Sequence, residues 1–84
     1  MSNQERIFTE LKESICATMA DLDPQLIHPQ ESLRQLGTNS LDRAMILMQT
    51  MENLNVRIPM IQFADASNIA EIVAIFGRAM PAAN

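Results

Sequence analysis

Few side chains in this sequence could do chemistry. Ser40 stands in LGTNSLDRAMILMQTMENL, residues 36–54, a stretch that reads as one helix once Gly37 has ended whatever precedes it. Asn39 suits the N-cap, and Asp42 places an acid in the first turn, where the helix dipole favours it. Ser40 then lies at the mouth of the helix, where backbone N–H groups have no partner within the helix. A hydroxyl beside a place that favours anions can carry a phosphate. A serine at a helix start can equally be no more than part of a cap. The single cysteine, Cys16, falls mid-helix, away from a helix N-terminus, and reads as a small packing residue. His28, the only histidine, has no partner at metal-ligand spacing and reads as a loop residue. No Ser–His–acid set, glycine-rich phosphate loop, zinc spacing or calcium spacing is present. A short helical chain without a catalytic set is a binding or carrier module, not an enzyme.

The elements that position these groups follow from periodicity. Residues 2–22 read as a first helix, with Ile7, Phe8, Leu11, Ile15, Met19 and Leu22 on one face. Residues 23–38 form a long connection, since Pro24 and Pro29 forbid a continuous helix. Within it, residues 31–36 can make a turn that drops Leu33 and Leu36 onto the core. The helix after Ser40 carries two apolar stripes. Ile46, Leu47 and Leu54, with Thr50 between them, form one; Leu41, Ala44, Met45, Met48 and Met51 form the other. An ordinary surface helix has one such stripe. The second is either core or a face for a partner, and methionine is common on surfaces that accept partners. Pro59 opens a short helix over residues 60–64, with Ile58, Ile61 and Phe63 supplying apolar contacts. Asn68 and Glu71 form a capping-box pattern for a last helix whose core face is Ile69, Ile72, Val73, Phe76 and Met80. Pro81 stops it, and residues 82–84 form a frayed tail. The expected fold is all-α: a small four-helix bundle of three longer helices and one short third helix, with a long first loop.

Composition bounds the rest. The 84 residues, 48% hydrophobic and 19% charged, make one small globular domain. Net charge is −4 with six Lys and Arg in total, which disfavours nucleic acid and favours basic surfaces on protein partners. No run is long enough to span a membrane, the N-terminus is no signal peptide, and a lone cysteine fits the reducing cytoplasm.

On these residues the chain resembles the acyl carrier proteins. Residues 36–42, Leu-Gly-Thr-Asn-Ser-Leu-Asp, are similar to the family's phosphopantetheine site, whose usual form is L-G-x-D-S-L-D. The order of helices and loop matches over nearly the whole chain, so residues 1–84 are expected to be one carrier domain. The resemblance implies an all-α carrier fold and a 4′-phosphopantetheine attached covalently to Ser40. Asn-Ser-Leu-Asp-Arg-Ala at 39–44, Met-Glu-Asn-Leu-Asn-Val-Arg-Ile-Pro at 51–59 and Ala-Ser-Asn-Ile-Ala-Glu-Ile at 66–72 narrow it further. They look like the free-standing donor carriers of β-branching cassettes in polyketide synthases. Acceptor carriers of that system are marked by a Trp six residues after the serine. Here that position is Ile46, and the chain has no Trp.

The resemblance implies a carrier that holds acetyl, made by decarboxylating malonyl, as a thioester and donates it to an HMG-synthase-like enzyme. A phosphopantetheinyl transferase, an acyltransferase and a decarboxylating ketosynthase are the other implied partners, and the carrier is expected to be a monomer. The implied partner face is Asn39, Leu41, Asp42, Arg43, Ala44, Met45, Met48, Met51, Met60 and Ile61. Asn39 replaces the family's usual Asp. Only Asp42, Arg43 and Glu52 carry charge in residues 40–54, so docking should depend more on apolar fit than on charge. Arg43 is expected to be solvated, or paired with Asp42 or Glu52, or turned towards an acidic or phosphate-adjacent group. The other readings are a general fatty-acid or polyketide carrier and an unmodified helical adaptor in which Ser40 is a plain cap.

Overall fold

The computed structural model describes residues 2–80. It contains three α-helices, α1 (Asn3–Thr18), α2 (Ser40–Leu54) and α3 (Ile69–Ala79). Pro24–Leu26 and Met60–Phe63 are 3-10 helices, and no strand occurs among the described residues. This is the all-helical architecture expected, with the short third helix wound as 3-10. Pro81 and the tail 82–84 lie outside the described residues.

Ser2 caps α1, its Oγ accepting from the Glu5 N–H at 3.1 Å. Ile7, Leu11 and Ile15 are fully buried, whereas Phe8 is half-buried and lies under the Lys12 ammonium, 5.4 Å from the ring centroid. The helix ends at Thr18, short of residue 22, because Met19 leaves helical geometry at φ −111°, ψ 75°. Met19 and Leu22 still pack on the core from the turn that follows, so their spacing mimicked another turn of helix.

α2 buries Ile46, Leu47, Thr50 and Leu54 against α1 and its surroundings. Thr50 Oγ1 lies 2.9 Å from Ser14 Oγ and 2.8 Å from the Ile46 carbonyl. Ser14 Oγ in turn donates to the Glu10 carbonyl at 3.0 Å. Each hydroxyl is thereby satisfied inside the core, where an unpaired one would cost about 1–3 kcal/mol. Asn55 closes α2 in the left-handed region at φ 57°, a conformation Asn tolerates better than most residues.

α3 buries Ile69, Ile72, Val73, Ile75 and Phe76. Ile75 widens the buried arc beyond the face that periodicity marked. Phe76 meets Phe63 with centroids 5.3 Å apart and planes at 46°, which seats the second 3-10 helix on α3. Ile58 and Phe63 are buried as expected, but Ile61 is 79% exposed. With three residues per turn, Ile61 lies roughly 120° round the 3-10 helix from the buried Phe63 and is thrown to another side.

The long loop is held in its second half. Ser32 and Gln35 bond reciprocally, Gln35 N–H to Ser32 Oγ at 3.0 Å and Ser32 N–H to Gln35 Oε1 at 2.8 Å. That turn buries Leu33 and half-buries Leu36. Ile69 and Ala70, the first two residues of α3, donate their N–H groups to the carbonyls of Glu31 (2.8 Å) and Pro29 (2.9 Å).

Candidate functional site

The chain carries five serines, and their surroundings separate them. Ser2 Oγ caps α1, Ser14 is buried, Ser32 Oγ holds Gln35, and Ser67 Oγ donates to Glu71 at 2.6 Å. Ser40 is exposed on the first residue of α2, and its Oγ accepts one hydrogen bond, from Arg43 Nη2 at 3.2 Å. Capping is done by its neighbours. Asn39 Oδ1 accepts from the Asp42 N–H at 2.8 Å, and Asp42 Oδ2 accepts from the Asn39 N–H at 3.3 Å. The amides of Ser40 and Leu41 have no acceptor within the helix, which leaves a partial positive charge beside the Ser40 hydroxyl.

The residue train before Ser40 fixes its place. Gly37 turns at φ 94°, a conformation that favours glycine. Thr38 is buried, and its hydroxyl donates to the Leu33 carbonyl at 2.7 Å. Arg43 Nη1 donates to the Thr38 carbonyl at 2.9 Å. Arg43 is half-buried and, among the described residues, is not paired with Asp42 or Glu52: its guanidinium meets the neutral oxygens of Thr38 and Ser40.

Ser40 stands on the rim of a groove of about 550 Å³ between the long loop, α2, the second 3-10 helix and the start of α3. Leu47, Phe63 and Ile72 supply apolar lining, and Ser32, Ser67 and Asn68 polar lining. Arg34 and Arg43 line it as well, and no carboxylate does among the described residues. Arg34 and Ser67 were not singled out in the sequence, and Asn68 was read only as a cap. Nothing in their spacing shows that the loop brings them to Ser40.

One wall is locked by Glu71. Its carboxylate accepts from the hydroxyl and the backbone N–H of Ser67, while its own N–H donates to Asn68 Oδ1 at 2.9 Å. The Ser67 hydroxyl, then the Ser67 backbone, hold the Glu71 carboxyl below its ordinary value of 4.5. A lowered native pKa means that this stabilisation is complete above the unfolded pKa and lost as pH falls through the native one. Amide exchange at Ser67 should therefore accelerate as pH drops below about 4.5, beyond the intrinsic trend, and Glu71→Gln should remove that extra step. An unchanged profile in Glu71→Gln would assign the loosening to another group.

The apolar residues of α2 divide. Leu41 (67%), Met45 (50%) and Met48 (60%) are exposed, so this stripe does not belong to the core. Met60 and Ile61 are also exposed, on the second 3-10 helix, at 41% and 79%. Ala44 is half-buried, and Met51 is half-buried and packs on the core, so the outward stripe stops short of it. Leu26 is a further exposed apolar side chain, at 56%, that periodicity did not mark.

The comparisons with known proteins bear on this geometry. The model of the phosphopantetheine attachment site matches residues 10–76. The chain belongs to the acyl carrier proteins. It is 34% identical over 73 residues to the polyketide biosynthesis acyl-carrier-protein AcpK of Bacillus subtilis (strain 168), a match that covers 87% of this chain and 89% of that one. Its fold superimposes on a chain of the crystal structure of the Curacin biosynthetic pathway HMG synthase in complex with acetyl donor-ACP. That match has a TM-score of 0.82 and 35% identity, and covers 93% of this carrier and 99% of the other chain. The prosthetic group of the family is 4′-phosphopantetheine, held covalently on a serine. The residues of this carrier fit it: one exposed serine hydroxyl at a helix N-terminus, bonded only to Arg43 and on the rim of a groove whose charges among the described residues are both positive.

Proposed function

We propose that Ser40 is the serine that bears phosphopantetheine and that this carrier donates acetyl to an HMG-synthase-like enzyme during polyketide β-branching. Support for Ser40 comes from elimination, since each of the other serine hydroxyls is buried or engaged in holding backbone or Glu71. The observation that carries the donor reading is the near full-length match to the acetyl donor carrier of such a complex. The bound arm supplies a terminal thiol for thioester chemistry on a flexible tether. The chain supplies attachment and delivery: a small carrier on a tether raises the effective concentration of its cargo at each partner. It is read as a non-catalytic, cytoplasmic monomer acting as one carrier domain over residues 1–84, served by a phosphopantetheinyl transferase, an acyltransferase and a decarboxylating ketosynthase.

The docking face is read as Leu41, Ala44, Met45 and Met48 of α2 beside the arm, joined by Asn39, Asp42, Arg43, Met60 and Ile61, with Met51 at the edge. Anchors of this kind are often worth about 2 kcal/mol or more when truncated at an interface. Met48→Glu should thus keep its helical content yet transfer acetyl to an HMG-synthase-like enzyme at least roughly tenfold more slowly. The measurement is single-turnover transfer from the acetyl-loaded carrier, with a generic fatty-acid carrier alongside. Equal rates from the wild type and the generic carrier would end the donor reading.

A further inference from the structure

With Ser40 as the modified serine, as proposed above, the structure says more about the first atoms of the arm. We propose that Arg43 binds the phosphodiester of the arm and so sets the direction in which the arm leaves α2. The guanidinium is already in place. Nη1 is pinned at 2.9 Å to the Thr38 carbonyl, and Thr38 is buried with its hydroxyl on the Leu33 carbonyl. Nη2 faces Ser40 Oγ at 3.2 Å. When Oγ becomes a phosphodiester oxygen, an anionic non-bridging oxygen lies two bonds from the atom Nη2 already touches. A small torsion gives Nη2 a charged acceptor in place of a neutral one, without moving the Nη1 anchor. Hydrogen bonds between charged partners are shorter and about twice as strong as neutral ones.

Charge bookkeeping points the same way. Asp42, two residues after Ser40, would repel a phosphate, but its carboxylate is turned to the Asn39 N–H. Arg43 has no carboxylate partner among the described residues, so its charge is free to meet the new anion. In a chain of net charge −4, the groove beside Ser40 presents only the cations Arg34 and Arg43 among the described residues. Arg34 shares the groove but makes no hydrogen bond to Ser40, which makes it the control for a merely general field.

The test compares apo and loaded protein in solution. A broad-specificity transferase and coenzyme A supply the arm, and intact mass reports loading of the wild type, Arg43→Gln, Arg43→Lys and Arg34→Gln. Nitrogen-15 spectra follow the Arg43 Nε–H group, and phosphorus-31 spectra follow the phosphodiester. Loading the wild type should shift the Arg43 side-chain resonance and slow its exchange with water roughly tenfold, the factor that about 1.4 kcal/mol would give. The phosphorus resonance should move in Arg43→Gln, move less in Arg43→Lys, and stay in Arg34→Gln. Full loading with a stationary Arg43 resonance, or one phosphorus position shared by the wild type and Arg43→Gln, overturns the assignment while leaving Ser40 as the attachment point. Absence of a mass gain on the wild type overturns both. The wild-type measurement needs no variant to fold.

Discussion

Ser40→Ala should remain folded and gain no mass from coenzyme A and a broad-specificity transferase, whereas the wild type should be converted completely. The expectation is all-or-none because the lost atom is the one proposed to form the phosphodiester. Nothing else in the fold rests on it. The α2 cap belongs to Asn39 and Asp42, at 2.8 Å and 3.3 Å, and Ser40 Oγ only accepts from Arg43. Exposed substitutions that touch no cap or core feature usually change stability by less than about 0.5 kcal/mol. Intact mass and a thermal melt check both halves. A mass gain on Ser40→Ala would move attachment to another serine, each of which would first have to give up the contacts described for it.

Phe76→Ala is the substitution expected to damage the fold most. Phe76 is fully buried, and its ring holds Phe63, which lines the groove. Removing a buried Phe costs about 3–5 kcal/mol. Domains this small have little more than that to lose, since total stability is about 5–15 kcal/mol and lies towards the low end for short chains. Met48→Ala, at a side chain 60% exposed, should cost less than about 0.5 kcal/mol. Urea denaturation of the two variants separates core from surface. Comparable losses in both would return Met48 to the core.

The parts of this protein that were legible in the sequence are those decided locally. Asn39, Ser40 and Asp42 give the start of α2 and its cap within four residues, and the structure adds the reciprocal bond from the Asn39 N–H to Asp42, which the sequence marks only as an acid favoured by the helix dipole. The end of α1 was not legible, since Met19 and Leu22 keep apolar spacing while the backbone has already turned away. Met51 shows the limit of counting along a stripe. Ten residues beyond Leu41 amounts to roughly 280° of rotation beyond whole turns, about 80° off the direction of Leu41, which brings Met51 round to the core edge. Met48 stays within roughly 20° of Leu41 and remains outside. Arg43 was singled out for its charge, but its partners could not be read. They depend on where the Gly37 turn and the buried Thr38 place a backbone carbonyl. The groove was invisible for the same reason, since it joins loop, α2 and α3 residues that are distant along the chain.

The bonds from Ile69 and Ala70 to the Glu31 and Pro29 carbonyls have a consequence for local opening. They pair the start of the last helix with a loop that precedes the second, so both sides must be present before either is satisfied. The loop–α3 bonds close 38 and 41 residues of chain, close to the 36 between Ser14 and Thr50 where α1 meets α2, so neither closure precedes the other on chain length alone. Once made, the connection turns two segments into a single opening unit, in which the loop cannot swing out without exposing the first amides of α3. A partner that pulled on this loop would therefore be pulling on the last helix as well.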